Sequence, residues 1–229
     1  MVSRIDPMTD RTAALDLHGE HLILLPERAL YWPRTRTLFI ADLHLGKAAA
    51  FRAGGVPLPE GTTAADLSRL SRALDVTGAR KLIILGDFWH AAAGRDAYTL
   101  DAFAAWRAHH AALSILMVRG NHDRGAGDPP PEWEMRVLEG PTPGPLFVCA
   151  HEPVDPAHGY ALTGHVHPAA ALSGRGRQRL TLPCFWFRAR HAVLPAFSGF
   201  TGGTPIQPTP GDRLFAITPH QVVTLDPAP

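Results

Sequence analysis

The chain has 229 residues, of which 45% are hydrophobic and 19% are charged, and its formal net charge is +1. This composition predicts one globular domain over residues 1–229 with a substantial core, and it excludes an intrinsically disordered chain. A net charge this close to zero gives no overall electrostatic signal for a nucleic-acid partner, so any basic surface must be local.

The N-terminal segment is polar. Residues 1–18 are expected to be loose, ahead of a core formed by residues 19–229. The segment contains acidic residues and lacks the apolar stretch of a secretory signal, and no later apolar run reaches the roughly 18 residues that span a bilayer. We therefore expect a cytoplasmic protein with no membrane association.

The next hundred residues alternate between strand and helix patterns. They predict strands at His21–Leu25, Ala29–Tyr31 and Thr37–Ala41, a helix from Thr63 to a stop at Gly78, a strand at Lys81–Leu85, a helix at Asp96–Ala112 and a strand at Ser114–Val118. In the first helix, Leu67, Leu70 and Leu74 recur at helical spacing. Alternating strands and helices predict a largely parallel sheet with right-handed crossovers.

After residue 167 the pattern changes to short strands punctuated by Gly and Pro. The predicted strands are Ala169–Leu172, Arg179–Leu182, Cys184–Arg188, Ala192–Leu194, Leu214–Thr218 and Gln221–Leu225. A second sheet packed against the first would give an α/β fold, a four-layer αββα sandwich with mixed sheets and helices on the outer faces. Cys149 and Cys184 lie in apolar surroundings, which favours buried thiols over a disulfide.

Five apolar runs end in the same way, with a His, Asp or Asn directly after the run. The endings are Asp42 with His44, Asp87, Asn121 with His122 and Asp123, His151, and His165 with His167. Oxygen and imidazole groups at strand ends are typical of metal ligands held on a rigid sheet. Gly86, Gly120 and Gly164 each precede a candidate ligand, as expected where backbone approaches a site closely. Five such endings in order predict a two-metal hydrolase.

Metal-assisted phosphoester hydrolysis needs two cations roughly 3.5–4 Å apart. They share an oxygen ligand, polarise the phosphoryl group and deprotonate a water, so that a bridging hydroxide attacks phosphorus. The candidate ligands are oxygen and nitrogen atoms with no thiolate, which suits Mn²⁺, Fe or Zn²⁺ better than Cu⁺.

The motifs Asp-x-His, Gly-Asp, Gly-Asn-His-Asp, a lone His and Gly-His-x-His resemble the calcineurin-like metallophosphoesterase superfamily. The resemblance implies that the first metal is held by Asp42, His44, Asp87 and His167. It implies that the second is held by Asp87, as a bridge, with Asn121, His151 and His165. It also implies that His122 contacts the substrate phosphate and protonates the leaving oxygen, with Asp123 orienting its ring. The superfamily favours Mn²⁺.

Longer strings resemble a narrower branch, the DNA-ligase-associated metallophosphoesterases, described as DNA damage response endonucleases. These strings span residues 25–33, 41–52, 55–59, 85–90 and 194–203. The resemblance implies a bacterial phosphodiesterase that acts on DNA, in functional association with a DNA ligase and a helicase.

Candidate substrate-binding residues are Lys47, Arg52 and Asn121. Lys47 and Arg52 either neutralise phosphates beside the cleaved one or are solvated surface charges. Alternating Arg175, Arg177 and Arg179 form either a basic stripe or a solvated hairpin edge. Two further sets of residues near the motifs keep two interpretations each. Phe88 and Trp89 are core residues or base-stacking residues, with packing favoured, and His90 assists the site or packs beside it.

Two other functions stay open from the sequence. One keeps the chemistry and changes the substrate, as in a small-molecule phosphodiesterase, a pyrophosphatase or a phosphomonoesterase. The other is an inactive scaffold with this fold that binds partners. The complete set of ligand motifs disfavours the scaffold.

Overall fold

The computed structural model describes residues 11–144, 146–174, 176 and 178–225. The first sheet has seven strands in chain order: β1 Ala13–Leu17, β2 Glu20–Leu25, β3 Ala29–Trp32, β4 Thr37–Ile40, β5 Lys81–Leu85, β6 Ser114–Val118 and β7 Arg136–Leu138. The three strand pairs from β1 to β4 are antiparallel, whereas the three pairs from β4 to β7 are parallel. The predicted parallel sheet is confirmed from β4 onward.

Four α-helices lie between β4 and β7 along the chain: α1 Lys47–Ala53, α2 Thr62–Thr77, α3 Ala97–His109 and α4 Asn121–Ala126. Helix α2 ends at Gly78, which has a φ of +60° and donates its N–H to the carbonyl of Leu74. Helix α3 begins after Asp96, whose carboxylate accepts the N–H of Thr99. The two long predicted helices are confirmed, and no helix in the described ranges is long and apolar enough to cross a membrane.

The second sheet is built from the rest of the chain. Its strands are β8 Thr142–Pro143, β9 Phe147–Cys149, β10 Tyr160–Thr163, β11 Pro168–Ser173, β12 Arg179–Phe187, β13 His191–Val193, β14 Thr204–Pro205, β15 Arg213–Ile217 and β16 Val222–Leu225. Their order is β14-β11-β12-β13-β10-β9-β8, and β15 pairs with β12 and β16. The neighbours of β10 are parallel to it, and most other pairs are antiparallel.

Strand β12 replaces two predicted strands, because Pro183 does not interrupt it. Residues 179–183 pair with β11, and residues 184–187 pair with β15, the last two of them also with β13. Proline lacks the N–H that a strand interior donates. Pro183 therefore lies at the residue where the strand changes its partner.

Two cores hold the layers together. The core between the first sheet and the helices includes Leu70, Ile84 and Phe103. The core between the two sheets includes Phe39 and Ile83 from the first sheet and Leu162, Phe185 and Phe215 from the second. The apolar side chains of β4 and β5 alternate between these cores, as strands covered on both faces require.

Two expectations need correction. Residues 1–18 are not loose throughout, because residues 13–17 form β1 and pair with β2 in register Ala13↔Leu24 to Leu17↔Glu20. The mixed α/β class with two mixed sheets is confirmed. However, the described residues contain no α-helix after β7, so the outer face of the second sheet carries only a small cluster that includes Ala170, Cys184 and Ala216. The described layers are therefore αββ, with one helical layer.

Candidate metal centre

The candidate ligands come from both sheets and meet at one edge of the fold. Asp42, Asp87 and Asn121 follow β4, β5 and β6 at the carboxyl ends of the parallel strands, where ligands of such sheets gather. His151 follows β9, and His165 and His167 follow β10. A parallel bridge between Ala41 and Ala196 links the two sheets beside Asp42.

Asp42, His44 and His167 form the first ligand cluster. One ligand atom from each lies within 4.8 Å of the others. The Nε2 atoms of His44 and His167 are 3.3 Å apart, and His167 Nε2 is 3.7 Å from Asp42 Oδ1. The structure thus brings these three predicted ligands together.

Asp87, Asn121, His151 and His165 form the second ligand cluster. His151 Nε2 lies 2.8 Å from Asn121 Oδ1, 3.0 Å from His165 Nδ1 and 3.4 Å from Asp87 Oδ1. The other oxygen of Asp87, Oδ2, lies 3.9 Å from His44 Nε2 of the first ligand cluster. Asp87 therefore faces both clusters with different oxygen atoms, which is the position of a bridging carboxylate.

These separations fit metal coordination. Two nitrogen atoms bound at about 2.1 Å to one ion, with a bond angle of about 90–109°, lie about 3.0–3.4 Å apart. The His44–His167 and His151–His165 nitrogen pairs, at 3.3 and 3.0 Å, match this spacing. In addition, His151 Nδ1 lies 3.1 Å from the carbonyl of Leu85, which can only accept a hydrogen bond. This contact keeps the proton on Nδ1 and leaves Nε2 free as a ligand atom.

The backbone at the site is strained. Nine non-glycine residues in the described ranges have a positive φ, and five of these are candidate ligands, namely Asp42, His44, Asp87, His165 and His167. Positive φ in a residue with a side chain costs energy and is concentrated at functional sites. The loops after β4, β5 and β10 thus hold their side chains in orientations that a relaxed backbone would not give.

Glycines let the loops approach one another. A Cβ on Gly86 would lie 2.2 Å from His151 Nδ1, and one on Gly120 would lie 2.1 Å from Asp87 Oδ1. A Cβ on Gly164 would lie 2.8 Å from Asp42 Oδ2. Each glycine that precedes a candidate ligand is therefore in contact with another candidate ligand, as the sequence predicted.

Burial sets the charge states of the inner ligands. His44 is 3% exposed, and burial together with the neighbouring His167 lowers its pKa to about 2, so its imidazole is neutral and able to ligate. Burial raises the pKa of Asp87, although the adjacent His151 opposes this and Asp42 adds to it. A buried pair of carboxylates calls for compensating positive charge, which divalent cations supply.

His122 lies at the exposed side of the centre. Its ring Nε2 is 3.9 Å from Asp87 Oδ2, and its backbone N–H donates to Asp87 Oδ1. Its Nδ1 lies 2.6 Å from the carbonyl oxygen of His90, and the two rings are stacked with centroids 5.1 Å apart. His44, His90 and His122 also bring ligand nitrogens within 4.8 Å of one another, at the border of the first ligand cluster.

The expectation that Asp123 orients the His122 ring is wrong. The Asp123 carboxylate accepts the N–H groups of Phe88, Trp89 and Gly120, and the carbonyl of His90 takes the place expected for it. Asp123 is fully buried, and burial raises its pKa while these backbone donors oppose the shift. Asp123 is thus a positioning residue that fixes the loop carrying Phe88–His90 to the start of α4.

The predicted substrate-binding cations differ in their availability. Lys47 begins α1 and donates from Nζ to Thr201 Oγ1, and it is close enough to lower the pKa of both His44 and His90. Arg52 is engaged with Asp96 at 3.7 Å. Arg175 and Arg177 lie outside the described residues. Their neighbour Arg179 is exposed at the start of β12.

Aromatic residues near the site also divide into two groups. Phe88 and Trp89 are fully buried, so the core interpretation is confirmed for both. Phe51 and Phe200 are exposed, and sequence reasoning missed them as candidates for the site. Phe51 is stacked with His90, and Phe200 contacts Phe51. Both lie in strings that carried the resemblance to the narrower branch. That resemblance was the signal available for them.

Comparisons with known proteins found a family model and several solved structures that are similar to this chain. The family model for the calcineurin-like phosphoesterase matches residues 35–155, which contain every candidate ligand except His165 and His167. Among solved structures, a nuclease MPE from Pseudomonas putida is 40% identical, with a TM-score of 0.82, and the match covers 93% of this chain and 100% of the nuclease chain. Yfce, a phosphoesterase from E. coli, is 15% identical, with coverages of 82% and 97% and a TM-score of 0.42. No curated protein sequence matches the chain significantly.

Proposed function

Since this chain belongs to the calcineurin-like phosphoesterase family, we propose that it is a two-metal phosphodiesterase that cleaves DNA. The observation that carries the chemistry is the position of Asp87 between the two ligand clusters, with Oδ1 toward His151 and Oδ2 toward His44. A pair of divalent cations supplies a nucleophile at neutral pH and neutralises charge on the phosphoryl oxygens. We propose Mn²⁺ as the metal, because the carboxylate, amide and imidazole ligands suit Mn²⁺, Fe or Zn²⁺, and the resemblance to the superfamily favours Mn²⁺ among these.

His122 is the proposed general acid. A carbonyl oxygen accepts at Nδ1, so that nitrogen must carry a proton, and Nε2 is left as the atom that faces the reaction centre. When Nε2 is also protonated, the ring can release that proton to the leaving oxygen and keep its hydrogen bond to His90. The side chain is 38% exposed, so it is accessible to substrate.

Two observations support a polymeric substrate over a small molecule. The nuclease from P. putida is 40% identical over nearly the whole chain. In addition, Asn121 and His165 are exposed, so the outer ligands lie at the surface, where a long strand can cross them. A small-molecule phosphodiesterase is the second candidate function, since the metal centre alone does not select the alcohol groups of the ester.

The test uses the two lysines of the chain, Lys47 and Lys81. Lys47→Met should lower kcat/KM for Mn²⁺-dependent cleavage of a DNA strand about tenfold or more, and should lower hydrolysis of a small chromogenic diester much less, because one phosphate contact is lost. Lys81→Met is the matched control, since Lys81 begins β5 and lies at the N-terminal end of the strand, opposite the end that carries the candidate ligands. Equal losses on both substrates would favour the small-molecule function. Absence of DNA cleavage by the unaltered protein would refute the proposal.

We further propose a role in DNA repair in the bacterial cytoplasm, in functional association with a DNA ligase and a helicase. The strings that resemble the ligase-associated branch support this role, and the free, buried Cys149 and Cys184 suit a reducing compartment. Deletion of the gene should sensitise cells to DNA damage, and Asp87→Asn should fail to restore resistance. Full restoration by that variant would contradict the role.

A further inference from the structure

Two phenylalanines are exposed beside the metal centre. Phe51 on α1 is 38% exposed, and Phe200, in the loop before β14, is 37% exposed. Their rings are in edge-to-face contact, with centroids 6.0 Å apart and planes at 88°. Large aromatic side chains are normally buried because of their apolar area. An exposed aromatic pair next to a catalytic centre therefore indicates a binding surface.

A continuous series of rings connects this pair to the proposed general acid. Phe51 is stacked with His90, with centroids 5.8 Å apart and planes at 19°, and His90 is stacked in turn with His122 at 5.1 Å and 24°. The exposed pair is thus two ring contacts away from the group that would protonate the leaving oxygen. A planar group bound there would be close to the phosphate being cleaved.

The helix and the loop that carry the aromatic pair also bring Lys47 next to it. Lys47 and Phe51 are four residues apart on α1 and share one face, and they contact Thr201 and Phe200, which are adjacent in the loop. A cation therefore lies beside the aromatic pair. This is the combination that binds a nucleotide, because phosphate and base need a positive charge and a flat apolar surface side by side.

Two polar side chains, the buried Asp66 and the half-buried Arg28, hold the loop in place. The N–H of Gly199 donates to Asp66 Oδ1 at 2.9 Å, and Arg28 donates to the carbonyl of Ser198 at 2.8 Å. Asp66 is 6% exposed and also forms an ion pair with Arg69. Because the loop is fixed at the residues before Phe200, the aromatic pair is preorganised and not the tip of a free loop.

We propose that Phe51 and Phe200 form a base-stacking subsite, which holds the base of a nucleotide next to the cleaved phosphodiester while Lys47 contacts a phosphate. This inference rests on the proposed function and adds to it the residues that position the strand. Stacking is tolerant of base identity, since every base presents a flat face. The subsite would therefore favour DNA over small diesters without selecting a sequence.

The experiment separates base contacts from backbone contacts. Cleavage of a DNA strand is compared with cleavage of a strand of equal length in which abasic tetrahydrofuran units replace the nucleosides, so that the phosphates remain and the bases are absent. The quantity measured is kcat/KM for the DNA strand divided by kcat/KM for the abasic strand. Phe51→Leu and Phe200→Leu keep apolar volume and remove the aromatic face. Val76→Ala, at an exposed residue near the far end of α2, is the control.

The wild-type ratio should be well above one, and each Leu variant should reduce it roughly tenfold, the size expected from loss of one stacked base. The Val76→Ala ratio should equal the wild-type ratio. A general disturbance of the metal centre lowers both rates and leaves the ratio unchanged, so it does not imitate the expected result.

Two results would overturn the subsite. They are a wild-type ratio near one, and a ratio that the double variant Phe51→Leu/Phe200→Leu leaves unchanged. If the unaltered protein cleaves neither strand but hydrolyses a small diester, the proposed DNA substrate is wrong, and the subsite falls with it. Cleavage of both strands with an unchanged ratio refutes the subsite alone, so the two failures are distinguishable.

Discussion

His122 occupies a place where loss of the side chain should affect chemistry and leave metal binding intact. It contacts Asp87 through its backbone N–H, and its ring hydrogen-bonds to the carbonyl of His90. His122→Ala should lower turnover on DNA about 100-fold or more, the usual contribution of a general acid. Metal content, measured by elemental analysis, should stay that of the wild type.

His158→Ala is the control for this prediction. His158 is exposed, lies before β10, and belongs to neither ligand cluster. Its loss should change neither rate nor metal content. Full activity in His122→Ala would show that the leaving oxygen takes its proton from another source, whereas loss of metal would make His122 a ligand.

Gly86 tests whether the close approach between the sheets matters for the site. Gly86 and Gly19 have nearly the same φ, +80° and +79°, but an added Cβ would meet His151 at Gly86 and open space at Gly19. Both alanine variants should lose about 1–2 kcal/mol of unfolding free energy from the left-handed backbone. Gly86→Ala alone should also lose bound metal, because the ring of His151 must move.

The measurements are urea unfolding and metal titration on both variants. A Gly86→Ala protein that binds metal as tightly as Gly19→Ala would mean that the second ligand cluster tolerates displacement of His151. Equal losses of metal in the two variants would assign the effect to backbone strain.

At the scale of residues, the sequence predicted which side chains of the site lie together. It did not predict the backbone conformations and hydrogen bonds that hold them there. The Gly-Asp and Gly-His patterns predicted tight turns, and Gly86 and Gly164 do contact candidate ligands. Positive φ at Asp42, His44 and Asp87 was not predictable, because residues with a Cβ avoid that region and only a packed fold imposes it. The same applies to Asp123, because two of its three backbone partners are 34 and 35 residues away in the loop after β5.

At the scale of elements, Asp123 joins the loop after β5 to the start of α4. Its carboxylate accepts the N–H groups of Phe88, Trp89 and Gly120, and all three residues are buried. Asp123→Ala leaves these donors without an acceptor and should reduce the free energy of unfolding by about 3 kcal/mol. Turnover should also fall, since the same loop carries the His90 carbonyl that holds His122.

Asp101→Ala is the matched control, since Asp101 is exposed on α3. It should change the unfolding free energy by less than about 0.5 kcal/mol. Urea unfolding of the two variants measures the difference. If Asp123→Ala is as stable as Asp101→Ala, water replaces the carboxylate and the join between the loop and α4 is weak.

Element prediction succeeded where periodicity was long or a strand was fully apolar. Helix α2 and strand β5 carry such patterns. Helices α1 and α4 have seven and six residues, too few for helical spacing to appear, and their formation depends on the loops that they contact. Strand β1 carries an acidic residue in a polar region, and it forms a hairpin with β2 through His18 and Gly19, which composition alone does not reveal.

For the whole molecule, the two sheets are joined at the ligand clusters, so metal binding should stabilise the entire fold. The first ligand cluster combines Asp42 and His44 from the first sheet with His167 from the second, and the second ligand cluster is similarly mixed. An unfolded chain cannot hold these groups together. Ions bound only by the folded state shift the folding equilibrium by mass action.

Mn²⁺ at about 100 times its dissociation constant should add about 2.7 kcal/mol per site. With both sites filled, this is about 5.4 kcal/mol, which raises Tm by about 10–20 °C in a protein of this size. Thermal unfolding of chelator-treated protein, titrated with Mn²⁺, measures the rise. Asp87→Asn should show a much smaller rise, because it weakens the one carboxylate that faces both clusters. A Tm that does not depend on Mn²⁺ would contradict binding at the junction of the sheets, and an undiminished rise in Asp87→Asn would contradict the bridging position of Asp87.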